Sequence, residues 1–179
     1  MNKIIQIGDL HFVPYISKTD INQKVNEIAG QISSVYQEKV PLFLVVMNGA
    51  FMFAADLIRK LDFPAEVVFI RVKSYHGMKS TGEAKIYMPD DVDLQDRHVI
   101  ILEDIIDTGN SMSLLLSELQ KKQPASLALT AILVKPDALQ HDIAIDFPGF
   151  EIPDKFVVGY GLDYNGIGRN LKDIYQLKE

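Results

Sequence analysis

The chain has no cysteine. That absence excludes disulfides, thiolate-bound zinc and a cysteine nucleophile, and it fits a reducing compartment. Basic residues are few, with 18 Lys and Arg against 24 Asp and Glu and a formal net charge of −6. Bulk attraction to nucleic acid is thereby disfavoured, although a small basic pocket for phosphates remains compatible with the balance. Long apolar runs are missing as well. The most membrane-like window, 42–58, is interrupted by Asn48, Gly49 and Asp56, whereas a spanning helix needs about 20 predominantly apolar residues. Asp9 and His11 arrive before the apolar core of a signal peptide is complete. The four histidines, His11, His76, His98 and His141, show neither HxxxH nor HExxH spacing and are expected in loops or on the surface. The expectation is a soluble, cytoplasmic protein with no nucleic-acid or membrane partner.

What is present suits one domain spanning 1–179. The chain is 47% hydrophobic and 23% charged, and a chain of this size buries about 70% of its surface on folding. Short apolar runs alternate with amphipathic segments. Ile21, Val25, Ile28, Ile32 and Val35 recur at helical spacing within 19–38, with Thr19 or Asp20 as candidate N-cap. LFLVVM (42–47), VVFIRV (67–72), VIIL (99–102), LALTAILV (127–134) and FVVGY (156–160) are strand-like. Residues 50–61 and 111–122 are expected to be helical. Continuous apolar strands separated by helices imply an α/β fold, a mostly parallel sheet with helices on both faces. Such sheets bind ligands beyond the carboxyl ends of their strands. The polar stretch 73–93 is too long for a routine connection and suits a lid or a mobile β-hairpin.

The dominant motif is VIILEDIIDTGNSM, 99–112. Four aliphatics are expected to deliver Glu103 and Asp104 to a strand end. Asp107, Thr108, Gly109, Asn110 and Ser111 then form a tight turn into a helix. Successive backbone N–H groups, with the hydroxyls of Thr108 and Ser111, make a nest suited to a phosphate. Gly109 lets the backbone approach a ligand closely. The paired acids suit ribose hydroxyls or a hydrated divalent cation. Neither a P-loop nor a Rossmann glycine pattern occurs. A bare Asp-Thr-Gly turn is an acidic N-cap in many proteins; the acids and the aliphatic strand before it make this one far more specific.

This segment resembles the phosphoribosyl-diphosphate (PRPP) motif of type I phosphoribosyltransferases. The rest of residues 5–175 resembles the hypoxanthine or hypoxanthine-guanine branch of that family. VVMNGAFMFAADLIRKL (45–61) is similar to its pyrophosphate-loop segment and RVKSYHGMKSTGEAKI (71–86) to its mobile hood. ILVKPDA (132–138) matches its purine-contacting strand, and FVVGYGLDYNGIGRNL (156–171) its base-binding segment, within a C-terminal region of 150–175. The resemblance implies a parallel-sheet domain with a small hood, PRPP and an oxopurine as substrates, Mg²⁺ as cofactor, and a homo-oligomer, dimer or tetramer.

It also implies roles. Asp107 would lie by purine N7 as general base, with an N-cap role as the plain alternative. Glu103 and Asp104 would face the ribose hydroxyls and the magnesium shell, and 107–111 the 5′-phosphate. Lys135 would donate to the purine 6-oxo group, Phe156 stack on the base, and Val157 offer a backbone contact, with Asp163 near purine position 2. Asp163 would also ligate magnesium on the pyrophosphate side. Asn48, Gly49 and Arg169 would hold pyrophosphate, and Ser74 and Tyr75 would close over the site.

Two departures from the family pattern stand out. Asn48 occupies a position where several relatives carry Lys or Arg, so backbone N–H groups must cradle the leaving group there without that side-chain charge. The family also implies a strained or cis peptide between Met47 and Asn48. NGIG (165–168) is rich in glycine before Arg169 and predicts a looser guanidinium. A transferase for xanthine or a pyrimidine, a nucleotide-sensing regulator on the same fold, and a purely structural subunit are the alternatives. The set Asp107, Glu103, Asp104 and Lys135 favours an enzyme.

Overall fold

Alternating side chains along Leu42–Val46 decide the layering. In a computed structural model, which describes residues 3–74 and 84–178, all five residues of this strand are buried. Phe43 and Val45 pack into one apolar cluster, and Leu42, Leu44 and Val46 into another on the opposite face. Period-two geometry gives each face its own set, and each set needs a cover. Helices α1 (Lys18–Tyr36) and α2 (Phe51–Ile58) cover the first face, and α3 (Asn110–Gln120) the second.

In chain order the strands are β1 (Ile5–Ile7), β2 (Leu10–Ile16), β3 (Leu42–Val46), β4 (Glu66–Ser74), β5 (Ala84–Tyr87), β6 (His98–Ile106), β7 (Ser126–Val134), β8 (Phe147–Glu151), β9 (Val157–Val158) and β10 (Ile174–Leu177). The main sheet has the order β5-β4-β3-β6-β7-β8 and is parallel except for β5. A second, antiparallel sheet, β1-β2-β10-β9, joins the two ends of the chain. No helix among the described residues is long and apolar enough to cross a membrane.

Several expectations shift. Ser17 is the N-cap of α1, not Thr19 or Asp20: its Oγ accepts from the Asp20 N–H at 3.2 Å and donates to the Asp20 carboxylate at 2.6 Å. Val35 is exposed, and Tyr36 turns inward in its place. The run 156–160 is not a strand of the parallel sheet. Of this run Val157–Val158 forms a strand, and it pairs with β10 in the second sheet, because Gly159 and Tyr160 both adopt positive φ and turn the chain away. Of the stretch 73–93, its first two residues belong to β4 and Ala84–Tyr87 form β5, which pair antiparallel with Ser74 opposite Ala84; residues 75–83, where the lid is expected, lie outside the described residues.

Candidate functional site

Strands β3 and β6 are neighbours, but the chain leaves them in opposite directions. It passes from β3 through α2 to β4 on one side, and from β6 through α3 to β7 on the other. A crevice must open where the two connections part, and open α/β sheets bind ligands at such a point. The segment after β3 and the motif after β6 are therefore brought together by topology. The approach is close: a Cβ placed on Gly49 would lie 1.5 Å from Asp104 Oδ2.

Strand β6 runs on through the acids to Ile106, so Glu103 and Asp104 lie within its final residues, and the Asp-Thr-Gly turn, rather than the acids, ends it. Asp104 Oδ1 accepts from the Ile105 N–H at 3.0 Å, and Glu103 Oε1 from the Asp104 N–H at 3.2 Å. Burial, and then the hydrogen bond and charge of Asp104, push the Glu103 carboxyl well above its usual range. Two adjacent carboxylates with surplus negative charge are hard oxygen donors suited to Mg²⁺. Asp163, the third expected ligand, pairs instead with Arg169, and the described residues contain no ready-made cluster of three metal-binding side chains.

The turn itself is built as a cradle. Gly109, at φ 78°, is the N-cap of α3, and no side chain caps this helix. The Asn110 N–H makes a long 3.5 Å bond to Thr108 Oγ1, and the other leading amides of the helix, which lack partners within it, face a ligand. Glu103, Ile105 and residues 106–112 line a pocket of about 140 Å³ there. Asp107 is consequently not a cap. Its Oδ2 accepts from Lys135 Nζ at 2.7 Å, and the same ammonium donates to Asp154 Oδ1 at 2.9 Å. Lys135 directly follows β7 and is buried. Burial alone would lower its pKa, but the hydrogen bonds and charges of Asp107 and Asp154 outweigh it and raise it above the usual lysine value.

Phe156 is 44% exposed, unlike a core aromatic. Tyr164 meets its ring edge-on at 5.9 Å and Phe12 lies at 6.2 Å, so the ring is propped as a shelf. Val157 is buried in β9. Arg169 is not loosened by the glycines before it: Nη1 donates to the Gly161 carbonyl at 2.7 Å, and Nη2 meets Asp163 Oδ1 at 2.5 Å. The turn 163–168 draws the pair together, with the Gly166 N–H donating to Asp163 Oδ2 at 2.6 Å. The Met47–Asn48 peptide is cis, and Asn48 Oδ1 accepts from Arg71 Nη2 at 3.1 Å. Ser74 ends β4, whereas Tyr75 lies outside the described residues.

Two residues at the site carried no signal in the sequence. Asp154 is one of 24 acidic residues with no motif around it. His141, one of the histidines expected in a loop, sits in the loop over the cradle with Nε2 2.6 Å from Asn110 Oδ1.

Comparison with known proteins gives a consistent match. The family model for the phosphoribosyl transferase domain matches residues 17–165. The chain is 42% identical to a hypoxanthine-guanine phosphoribosyltransferase of Bacillus subtilis, over 91% of each chain. It is 37% identical to a hypoxanthine-guanine-xanthine phosphoribosyltransferase of Tritrichomonas foetus, over 100% of this chain and 98% of that one. The crystal structure of a hypoxanthine phosphoribosyltransferase from Staphylococcus aureus superimposes with a TM-score of 0.87 at 36% identity, covering 92% of this chain and 90% of that chain.

Proposed function

The chain belongs to the phosphoribosyl transferase family, and from that premise we propose that it is a purine-salvage transferase. It moves the 5-phosphoribosyl group of PRPP to hypoxanthine or guanine, giving IMP or GMP and pyrophosphate. The observation that carries the base class is Lys135 Nζ at 2.7 Å from Asp107 Oδ2. An ammonium only donates and a carboxylate only accepts. An oxopurine presents the matching edge, an acceptor oxygen at position 6 beside a ring N–H at position 7.

The residues then divide the work. Phe156 offers a face to the base. Asp107 accepts the N7 proton while N9 forms its bond to C1 of the ribose and the C1–O bond to pyrophosphate breaks. The amides of 108–111 hold the 5′-phosphate, and those of Asn48 and Gly49, with Arg169, hold the leaving pyrophosphate. Glu103 and Asp104 face the ribose and would hold Mg²⁺, and Asp163 would be a further ligand only if its pair with Arg169 opened. Bound magnesium supplies positive charge to the departing pyrophosphate. The hood excludes water, which would otherwise compete for C1.

Xanthine is the second reading, favoured by the name of the T. foetus relative. We place the enzyme in the cytoplasm, in keeping with its lack of cysteine. The expected homo-oligomer has a suitable face in the apolar groove of Met47, Phe51, Ala54, Ala55, Ile58 and Phe69, where Phe69 is 56% exposed. A monomeric sedimentation coefficient for the wild type would refute that assignment. The activity is tested by incubating the protein with PRPP, MgCl₂ and hypoxanthine, guanine, xanthine, adenine or uracil in turn. IMP and GMP are expected, and nucleotide from adenine or uracil alone would overturn the reading.

A further inference from the structure

Lys135 has two carboxylate partners, and the reaction just described needs only one of them. Its side chain is 7% exposed, whereas that of Asp154 is 67% exposed. An ammonium has three N–H donors. Asp107 takes one at 2.7 Å and Asp154 another at 2.9 Å, which leaves a third for a ligand. Asp107 is also the group that takes up a proton from the base. Once protonated it is neutral, and a buried ammonium paired with it alone would lose its counter-charge midway through the reaction. Unpaired buried charge is costly. Asp154, largely exposed, takes no part in that proton transfer and keeps its contact with the ammonium.

The local backbone supports a fixed geometry. The Ile152 N–H donates to the Val134 carbonyl at 2.8 Å, next to Lys135, and the Lys155 N–H donates to the Pro153 carbonyl at 2.7 Å. Asp154 is thereby held at the apex of a tight turn tied to the end of β7. Two residues later comes Phe156, the exposed shelf. The ion pair Asp154–Lys135 therefore links the donor for the edge of the base to the support for its face.

We propose that Asp154 is a positioning residue for base selection: it anchors the Lys135 ammonium so that its remaining N–H points at position 6 of the purine, and it holds that donor at a fixed offset from Phe156. This rests on the oxopurine reading above. Loosening the ammonium affects recognition of the base and leaves PRPP, bound elsewhere in the crevice, untouched.

The test uses the full chain with PRPP and Mg²⁺. Asp154→Asn keeps the size and an acceptor oxygen but removes the charge. It is expected to raise KM for hypoxanthine about tenfold, the scale of one charge-assisted hydrogen bond. KM for PRPP should change less than about twofold, and the preference for hypoxanthine over adenine should narrow. Asp154→Glu should recover most of the base affinity, and in a Lys135→Met background Asp154→Asn should have no further effect. Unchanged base KM and unchanged preference in Asp154→Asn would overturn the proposal. So would equal increases in KM for base and PRPP, or a full effect in the Lys135→Met background. Failure of the wild type to make IMP or GMP would instead overturn the oxopurine reading, so the two failures are distinguishable.

Discussion

Two glycines meet at the crevice, and alanine at each should fail in a different way. A Cβ on Gly49 would lie 1.5 Å from Oδ2 and 2.3 Å from Cγ of Asp104, whereas ordinary contact begins near 3.4 Å. The obstacle is a side chain, so the Asp104 carboxylate can swing aside by about 2 Å at a folding cost of about 1 kcal/mol. Displacements of that size in a reacting site cost roughly 100-fold in rate. Gly161 differs on both counts. Its φ is +102°, and its Cβ would lie 2.0 Å from the Gly49 carbonyl oxygen, which is backbone and cannot rotate away. Left-handed strain and overpacking together should cost about 2–4 kcal/mol. For a chain of this length that is a fall in Tm of about 5–15 °C. Gly49→Ala should therefore lose activity while its Tm falls by less than about 4 °C, and Gly161→Ala should lose both. Thermal melts and kcat/KM for PRPP on the two variants decide it. Wild-type kcat/KM in Gly49→Ala would show that the position of the Asp104 carboxylate is immaterial, and an unchanged Tm in Gly161→Ala would refute the packing.

Asp107→Asn removes the proton acceptor while keeping the shape, and should lower kcat by about 10²–10⁴-fold with the fold intact; steady-state rates near wild type would remove Asp107 from the chemistry. Lys135→Met deletes the donor to position 6. Sites built on such a bond reject mismatched bases by about 10⁴-fold, so adenine should be a very poor substrate for the wild type, and the gap to hypoxanthine should shrink in the variant when the two bases are assayed side by side. Tyr160→Phe breaks the 2.9 Å bond from its hydroxyl to Asp56 Oδ2, at a cost of about 1 kcal/mol in denaturant melts at pH 7. Burial, then the charge of Asp56 and the hydrogen bond to it, raise the Tyr160 phenol. A raised pKa gives stability that is full below the ordinary tyrosine value near 10 and lost as pH rises above it. The gap between wild type and Tyr160→Phe should close above about pH 10, and a gap that widens there would contradict the buried phenol.

The parts of the site legible in the sequence are those whose chemistry is local. The motif at 99–112 packs strand, acids, turn and helix start into fourteen consecutive residues, and the α/β alternation around it follows from continuous apolar runs. Asp154 and Tyr160 act through partners 19 and 104 residues distant, and no periodicity reports such a pair. The second sheet was hidden for a related reason. Strands β1, β9 and β10 have 3, 2 and 4 residues, too few for an alternating pattern, and their pairing joins the ends of the chain. For Asp107 the resemblance offered a general base and the local pattern a helix cap. The 2.7 Å contact with Lys135 turns its carboxylate away from the cap.

The balance of charge explains how an acidic chain can hold a substrate with several phosphates. Glu103, Asp104, Asp107, Asp154 and Asp163 surround the crevice, while Lys135 and Arg169 are both already paired with members of that set. Bulk electrostatics would repel the ligand. On the function proposed above, attraction would come from oriented amides at the start of α3 and after β3, from Arg169 once it turns from Asp163, and from a divalent cation that Glu103 and Asp104 would hold. The same surplus of carboxylates makes the ribose end of the crevice favourable to positive charge as the C1–O bond stretches. The chain thus keeps amide donors where phosphate must be held and acids where the sugar becomes cationic. On that reading, a lysine in place of Asn48 would add charge only to the phosphate side of that division.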